Sequence, residues 1–433
     1  MSSIQKQADP NQNINVKKSF KWGARHNVLT FIWLGWFLSF LDRMVITLSL
    51  PFIGKDFNID AAAQGVILSA FFGGYALFHI PGGMLADKFG FRRILSIGIL
   101  WWSAFTTLTG MVFSYPLMLM ARFAFGLGEA VFPGSSYKTL TTYFPRKERG
   151  TAIGIQSTAN SVGNIFASII AAAIIAAAGW RTVFLFLGIP GVLLGVYYWI
   201  KFKDNPADHP QMTPEDFAEL QADREEEKQT LAKNNSVSFK DILKTPILWQ
   251  MIAIWFLADI AIWGFSSWMP SYLMKVRGLS VMKTGIYGSL PYLFGAIGIL
   301  LGGRAADRYR NKVKWLFVGA AALGGVFIYL LFIAPSTEMT ILYQCFANGL
   351  MCFAQGAFWT MVSDSFPTSL MGSGSAAVNF GGQIAGLIAP SAMGFMIQAS
   401  GGSYNAAFML LVVSLVAAAV LALTIKERPL SQE

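Results

Sequence analysis

Charged residues are scarce in this sequence: Asp, Glu, Lys and Arg together make up 13% of its 433 residues. A soluble domain carries about 25% charge, so the composition excludes an ordinary water-exposed surface. Cysteine (2) and histidine (3) are also rare, and Cys345 and Cys352 fall in one apolar segment. We interpret both as packing residues and expect no metal site, redox pair or cofactor. The sequence shows neither a nucleophile–base arrangement nor a Walker-type phosphate loop, so we do not expect an enzyme.

Apolar residues fill the space that charge leaves. They make up 54% of the chain, and the mean hydropathy is +0.50. A hydrocarbon core about 30 Å thick needs about 20 apolar helical residues, and many segments reach this length. They are residues 28–53, 64–86, 94–113, 115–138, 152–177, 181–200, 246–274, 282–302, 313–333, 338–362, 372–397 and 404–425. The sequence therefore predicts an all-α membrane protein with twelve transmembrane helices.

One long polar stretch, residues 201–245, divides these spans into two sets of six. The predicted organisation is an amino-terminal tail (1–27), a six-helix bundle (28–200), a linker (201–245), a second six-helix bundle (246–425) and a carboxy-terminal tail (426–433). Within the linker, Thr213-Pro214-Glu215-Asp216 is typical of a helix start. The run that follows, as far as Glu227, is charged on all sides. We interpret it as a solvated connector without a catalytic role.

Basic residues are distributed unevenly between the two sides of the predicted bundle. The two tails, the linker and the loops that follow spans two, four and eight contain 25 Lys and Arg residues. The loops on the other side of the membrane contain five. By the positive-inside rule, both termini are expected in the cytoplasm of a bacterial cell, with the chain embedded in the inner membrane lipid. This topology also explains the net charge of +10, so we do not expect a nucleic-acid partner.

A short loop sequence occurs twice, 220 residues apart. Residues 83–93 read Gly-Met-Leu-Ala-Asp-Lys-Phe-Gly-Phe-Arg-Arg, and residues 303–310 read Gly-Arg-Ala-Ala-Asp-Arg-Tyr-Arg. Phe144-Pro145 likewise recurs as Phe366-Pro367. A duplication of this kind is typical of a membrane bundle built from two pseudo-symmetric halves, and the function of such a bundle is to move a solute.

The duplicated loop, with the twelve spans, resembles the signature of the major facilitator superfamily over essentially the whole chain. Charged side chains at the ends of these helices can pair in one conformation and separate in another, which would latch the loop side. The candidate gating residues are Asp87, Arg92, Arg93, Glu148, Arg149, Asp307 and Arg308. Leu370 and Met371 follow Pro367 where Glu148 and Arg149 follow the first copy, so we expect an asymmetric latch.

Four charged residues stand out inside the predicted spans: Asp42, Arg43, Arg122 and Glu129. Charge in the bilayer is costly, so each residue needs a partner or a task. Arg122 and Glu129 are seven residues apart, which places them within about 20° of one helix face. One interpretation is a neutralised quartet that joins helices. The other gives the arginines an anionic substrate and the acids a proton, because Arg binds carboxylates through a planar fork and never deprotonates.

The segments around these charges are similar to the anion:cation symporter group, which includes bacterial sugar-acid transporters and vesicular glutamate transporters. The relevant residues are Phe40-Leu41-Asp42-Arg43 and the fourth-span run Ala121–Ala130. The resemblance implies that Glu129 is the coupling proton site and that Asp42 assists it. It also implies that Arg43 and Arg122 bind the anion, that Tyr75 contacts substrate, and that no cofactor is needed.

Polar residues in other spans complete the predicted substrate site. Gln156 and Asn160 form a polar stripe on the fifth span, and Asn379 and Gln383 form a matching stripe on span eleven. Trp359 and Thr360 could close the cavity from span ten. Asp259 is a third intramembrane acid beside Asp42 and Glu129, which would bind substrate hydroxyls or lie near the external mouth. His79 is interpreted as structural.

Taken as a whole, the sequence predicts a monomeric, proton-coupled symporter that imports an organic carboxylate, with a sugar acid favoured. An aromatic or dicarboxylic acid stays open as the substrate. A drug:proton antiporter is disfavoured, because Ser157-Thr158-Ala159-Asn160 replaces the Gly-Pro-Gly-Gly pattern of that class. A receptor that does not transport would be expected to lose the cavity charges, which are present here.

Overall fold

The computed structural model describes residues 22–233, 243–366 and 371–425. Pro367, Leu370 and most of both predicted tails lie outside this part of the chain. The described residues form α-helices joined by short loops. They are α1 (Ala24–Asp56), α2 (Ala61–Phe89), α3 (Phe91–Met111), α4 (Tyr115–Ala130), α5 (Phe132–Tyr143), α6 (Arg146–Ala178), α7 (Trp180–Lys201), α8 (Pro214–Lys233), α9 (Pro246–Lys275), α10 (Val281–Arg308), α11 (Val313–Ile333), α12 (Thr337–Ser365), α13 (Met371–Ala399) and α14 (Asn405–Leu423).

Within the described residues, eleven helical segments are long and apolar enough to cross a membrane. An all-helical architecture follows from the apolar composition, because a spanning backbone must satisfy its own hydrogen bonds. Helix α12 is 29 residues long but is not among the eleven. It carries Glu338 and Asp364 near its ends and the amides Gln344 and Asn348 in between, which lower its mean hydropathy.

The fourth predicted span is divided into two helices. Helix α4 ends at Ala130, Val131 forms a turn, and α5 begins at Phe132. The break has a local cause, because Pro133 has no backbone N–H to donate to the carbonyl of Glu129 one turn earlier. The helix is therefore interrupted directly beyond one of the predicted site residues.

Equivalent helix pairs form in the two halves. In the first half, α1 packs on α6, α2 on α4, and α3 on α7. In the second half, α9 packs on α13, α10 on α12, and α11 on α14. Glycines allow the closest approaches: a Cβ on Gly126 would overlap the backbone carbonyl of Phe71, and one on Gly298 would overlap the carbonyl of Gly349. The α2–α4 and α10–α12 pairs thus both have a glycine at the point where the two backbones approach each other most closely.

The two halves meet at the end of the molecule opposite the first residue of α1. There, α2 packs on α13 and α6 on α10. Ser391 Oγ donates to Ser69 Oγ at 2.8 Å, and a Cβ on Gly285 would overlap Ala172 across the second contact. At the other end, Asn160 is exposed although it lies within α6. We interpret the exposure of this polar side chain in a membrane helix as an opening between the halves towards the side where α1 begins.

Helix α8 of the linker is attached to the first half of the chain, which differs from the predicted solvated connector. Arg25 Nη2 donates to Asp216 at 2.7 Å and to Glu219 at 3.0 Å. Lys147 Nζ lies 2.6 Å from Glu219, and Leu220 is buried. Hydrogen bonds from Lys147 and Arg25 hold the pKa of Glu219 below its usual range. Asp216 and Glu219 belong to the charges from which the sequence analysis inferred a solvated helix, and they form its contacts with the first half of the chain.

Candidate functional site

The structure brings the predicted intramembrane charges together. Helix α1 supplies Asp42 and Arg43, and α4 supplies Arg122 and Glu129. Arg43 Nε donates to Glu129 Oε1 at 2.6 Å. Asp42 accepts a 3.3 Å hydrogen bond from Thr106 of α3 and lies within electrostatic reach of Glu129 and Arg122. Two acids and two bases thus form one neutral cluster between α1, α3 and α4.

The two carboxylate oxygens of Glu129 have different surroundings. Oε1 accepts from Arg43 and also from the hydroxyl of Ser39, one turn earlier on α1. Oε2 is buried and has no hydrogen-bond partner among the described residues, and the side chain is 1% exposed. An unshared oxygen in so dry a place is the position at which a proton can be added without breaking an existing hydrogen bond.

Arg122 is buried without a hydrogen-bonding partner for much of its guanidinium. The residue is 1% exposed, and Nε and Nη1 make no hydrogen bond to the described residues. Its guanidinium lies over the ring of Phe125, 4.4 Å from the centroid. Buried N–H donors are normally satisfied, because leaving one unpaired costs about 1–3 kcal/mol. The guanidinium therefore has free donor capacity for an anion.

A cavity of about 30 Å³ lies beside the two arginines, between the halves of the chain. Its lining residues come from α1, α2, α4 and α9: Arg43, Met44, Ile46, Thr47, Leu68, Phe71, Phe72, Arg122, Trp263, Ser266 and Ser267. The sequence analysis did not identify Trp263, Ser266 or Ser267, because tryptophan and serine are ordinary residues of a membrane helix. Their proximity to the arginines depends on how the halves pack.

Aromatic rings surround Arg43 on the α2 side. Its guanidinium lies 4.9 Å from the ring centroid of Tyr75 and 5.1 Å from that of Phe71. Tyr75 is buried and stacks on His79 at 5.2 Å. Such rings favour a cation over their faces. The predicted substrate contact Tyr75 is thus placed against the predicted anion-binding Arg43.

The polar stripe of α6 has one buried and one exposed member. Gln156 is buried, and its Oε1 has no hydrogen-bond partner among the described residues. Asn160, one turn further on, is exposed and accepts a 2.7 Å hydrogen bond from Asn164. The sequence analysis had not included Asn164. Both amides remain candidate substrate contacts from the open side.

The candidates in the second half lie on α9, α12 and α13. Trp359 packs edge-on against Trp255 at 5.1 Å, and Thr360 donates to the backbone carbonyl of Gly356. Asn379 is half-buried, and the buried Gln383 has no partner for Oε1 among the described residues. Asp259 is buried against Gly382. None of these five predicted residues lines the cavity beside Arg43 and Arg122.

The charged loop residues pair within their own halves of the chain. Asp87 accepts from Lys138 at 2.8 Å, whereas Arg92 donates to the carbonyl of Trp199 at 2.8 Å and Arg93 is exposed. Asp87 and Arg92 are therefore engaged with other groups and not with each other in this conformation. The other candidate gating residues are divided in the same way: Glu148 pairs with Arg25 and Arg149 with Asp223, and Asp307 and Arg308 are exposed.

Comparison with known families decides the class of protein. Residues 32–390 match the model of the Major Facilitator Superfamily. The chain belongs to the major facilitator superfamily. The family predicted from the duplicated loop is thereby confirmed, and the chain is an integral, multi-pass membrane transporter.

Curated relatives point in the same direction as the predicted subgroup. The chain is 28% identical to a probable sulfoacetate transporter of Cupriavidus necator, with 89% of this chain and 90% of that protein covered. It is also 28% identical to a probable galactarate/D-glucarate transporter of Escherichia coli, with 89% and 91% covered. Transport of small organic anions is thus the common theme of these relatives' names.

Solved structures confirm the fold. A bacterial homologue of the human lysosomal transporter Spinster, in an inward-facing and occupied conformation, matches with a TM-score of 0.75. The identity is 22%, and the match covers 92% of this chain and 94% of that chain. At this identity the likeness establishes the superfamily fold alone.

Proposed function

We propose that this transporter is a proton-coupled symporter that imports a small organic carboxylate, in particular a sugar acid, by alternating access. The observation that carries the proposal is the buried guanidinium of Arg122, with unused N–H donors, next to an Arg43–Glu129 ion pair. Unused donors suit an anion, and a carboxyl that competes for the same cation provides a route to proton coupling.

The ion pair gives a direct coupling mechanism. When Glu129 is ionised, it holds Arg43 at 2.6 Å. A proton added at Oε2 removes the negative charge, so Arg43 becomes available to an anion beside Arg122. Asp42 adds a second acid to the same cluster and sets how strongly Arg122 is engaged in the empty protein. The substrate and the proton therefore stabilise the same rearranged cluster, which is the requirement for symport.

The proposed topology has twelve spans, with α12 as the tenth and α4 with α5 together as the fourth. Both termini would lie in the cytoplasm, on the basis of the 25 to five distribution of basic residues. The conformation described here would then be inward-facing, in a bacterial inner membrane. The loop charges that pair within each half would exchange partners when the cytoplasmic side closes, which keeps Asp87, Arg92, Arg93, Glu148, Arg149, Asp307 and Arg308 as proposed gating residues.

A sugar acid is the favoured substrate because amide groups accompany the arginines. Gln156, Asn160, Asn379 and Gln383 offer donors and acceptors that suit hydroxyl groups. Closure of the halves would bring Asn379 and Gln383 of α13, together with Trp359 and Thr360 of α12, towards Gln156 and Asn160 of α6. A short dianion such as sulfoacetate is the second candidate, since two arginines flank a small cavity and one relative bears that name.

The decisive test is a two-step assay on purified protein. Thermal-shift screening against D-glucarate, D-galacturonate, sulfoacetate and benzoate should identify a stabilising acid, because a ligand raises the melting temperature by mass action. Uptake of that acid into proteoliposomes should then exceed equilibrium when the external side is acidified. Accumulation without a pH gradient, or none of the acids stabilising the protein, would overturn the proposal.

A further inference from the structure

One buried carboxyl lies outside the cluster of α1 and α4. Asp259 is near the middle of α9 and is 5% exposed. It forms no ion pair within the described residues, unlike Glu129. Helices α13 and α14, which pack on α9, contain no charged residue within their bounds. An ionised carboxylate here would be an uncompensated charge in a low-dielectric bundle, which is strongly unfavourable.

Charged groups on the other helices in contact with α9 are distant from Asp259 along the helix axes or belong to the first cluster. Those of α10 and α12 lie near the helix ends, as do Arg25, Lys55 and Asp56 of α1 and Lys275 of α9 itself, whereas Asp42 and Arg43 belong to the first cluster. The full set is Arg25, Asp42, Arg43, Lys55, Asp56, Lys275, Lys283, Arg304, Asp307, Arg308, Glu338 and Asp364. A basic neighbour therefore does not hold Asp259 in its ionised form.

The immediate surroundings of Asp259 provide polar atoms that lack partners. A Cβ on Gly382 would overlap Asp259 Oδ2 and would lie 2.6 Å from Trp255 Nε1, so these two atoms share the space beside that glycine. Trp255 Nε1 and Gln383 Oε1 are buried and have no hydrogen-bond partner among the described residues, and the indole N–H of Trp263 lies within hydrogen-bonding reach of the Asp259 carboxyl. The indole N–H groups of Trp255 and Trp263 are donors, which do not bind a metal cation. The amide oxygen of Gln383 can accept a hydrogen bond from a protonated carboxyl.

Asp259 also occupies a related place in the duplicated chain. Helices α1 and α9 open the two halves, and a Phe-Leu pair precedes the acid in each: Phe40-Leu41 directly before Asp42, and Phe256-Leu257 with Ala258 between it and Asp259. Each half thus has a buried carboxyl near the middle of its first helix. The first lies within electrostatic reach of Arg122, and the second forms no ion pair among the described residues.

We propose that Asp259 is a second proton-binding site, separate from the Asp42–Glu129 cluster, which is loaded and emptied in each transport cycle. The proton is transferred from a hydronium ion when water reaches Asp259 from one side of the membrane, and the carboxyl O–H bond forms then. The bond breaks, and the proton returns to water, when water reaches the carboxyl from the other side. In the conformation described here, Asp259 is neutral. This inference rests on the proposed symport and assigns Asp259 to the proton in place of substrate hydroxyls.

Protonation can be tested without a substrate. Infrared difference spectra of reconstituted protein, recorded during a pH titration, report the carbonyl band of a protonated carboxyl. We expect one titrating band that is absent from Asp259→Asn, is retained in the double variant Asp42→Asn/Glu129→Gln, and is retained in the exposed control Glu338→Gln. Wild-type and Asp259→Asn spectra that are identical at every pH would overturn the proposal.

A role of Asp259 in transport is tested by the number of protons that are carried with each substrate molecule. Reversal voltages of proteoliposomes with D-glucarate as the probe give the number of protons per substrate. We expect Asp259→Asn to lower that number by one and Glu338→Gln to leave it unchanged. If Asp259→Asn still couples transport with an unchanged number of protons per substrate, Asp259 is a structural group. That result would overturn the role proposed for Asp259 and leave the proposed symport intact. Absence of coupled flux in the wild type would instead refute the proposed symport, and the infrared titration would still decide whether Asp259 takes a proton.

Discussion

At the scale of single residues, Glu129 is the group whose charge should decide coupling. Glu129→Gln keeps the shape of the side chain and mimics a permanently protonated acid, so Arg43 is always available. We expect the variant to bind and exchange substrate across the membrane while it loses accumulation driven by a pH gradient. Counterflow and gradient-driven uptake in proteoliposomes measure the two activities separately. Full accumulation by this variant would remove Glu129 from the coupling role.

Arg122 should be sensitive to the loss of its planar fork as well as to the loss of charge. Arg122→Lys retains a cation but cannot donate two parallel hydrogen bonds to a carboxylate. We expect the affinity, measured by calorimetry, to fall by about tenfold or more, because buried charge-assisted bonds are strong. The exposed Arg304→Lys is the matched control and should bind normally. Wild-type affinity in Arg122→Lys would favour the interpretation that the quartet only joins helices.

At the residue level, a charge in an apolar run was a usable signal, whereas neighbours that depend on the fold gave no signal. Asp42, Arg43, Arg122 and Glu129 were singled out because their cost in lipid marks them. The structure gathers them in one cluster, and their roles stay a prediction. Ser39 was missed although it donates to Glu129, because a serine hydroxyl is inexpensive in any membrane helix. Trp263 was missed because only packing of the two halves brings it to the cavity.

At the scale of helices, the close approach of α2 and α4 should support the site. A Cβ on Gly126 would overlap the Phe71 carbonyl, and α4 carries both Arg122 and Glu129. We expect Gly126→Ala to separate the helices and to destabilise the fold by about 1–3 kcal/mol, seen as a lower melting temperature in detergent. Gly319→Ala of α11, where nothing lies within 4 Å, is the control. Equal melting temperatures in both variants would contradict tight α2–α4 packing.

Docking of α8 is the second expectation at this scale. Arg25→Gln removes contacts to Glu148, Asp216 and Glu219, so we expect amide hydrogen exchange in α8 to rise several-fold. Because the docked pKa of Glu219 is lowered, its contribution is present at neutral pH and is lost as the pH falls through that pKa. Exchange corrected for its intrinsic rate should therefore rise in the wild type at about pH 4. Unchanged exchange in Arg25→Gln would show that apolar contacts hold the helix.

The helices themselves were largely predictable, and their exceptions have local causes. Apolar length located the spans, whereas the interruption at Val131 follows from Pro133 and needed attention to a single missing N–H. The docking of α8 could not be read from its composition, because a helix that is charged on all sides gives no indication of a charged partner surface. Arg25 and Lys147 supply that surface, and they come from segments far away in the sequence.

At the scale of the whole molecule, the proton and the substrate should be linked. With Asp42 and Glu129 ionised, the arginines are engaged internally and the cavity attracts anions weakly. Protonation frees positive charge, so binding should strengthen as the pH falls, by up to about tenfold per pH unit for each proton taken up. By reciprocity, substrate must raise the proton affinity of the same acids. Binding in weak buffer should therefore take up protons.

Calorimetry in two buffers of different ionisation enthalpy, at pH values from about 8 to about 6, measures both quantities, because the range spans neutral pH while a carboxylate substrate stays ionised. Asp42→Asn should flatten the pH dependence, and the combination with Glu129→Gln should flatten it further. If Asp259 is a separate site, the double variant should keep the uptake that belongs to the second half of the chain. An affinity independent of pH, with no proton uptake by the wild type, would leave uniport or anion exchange as the activity that this neutral cluster supports.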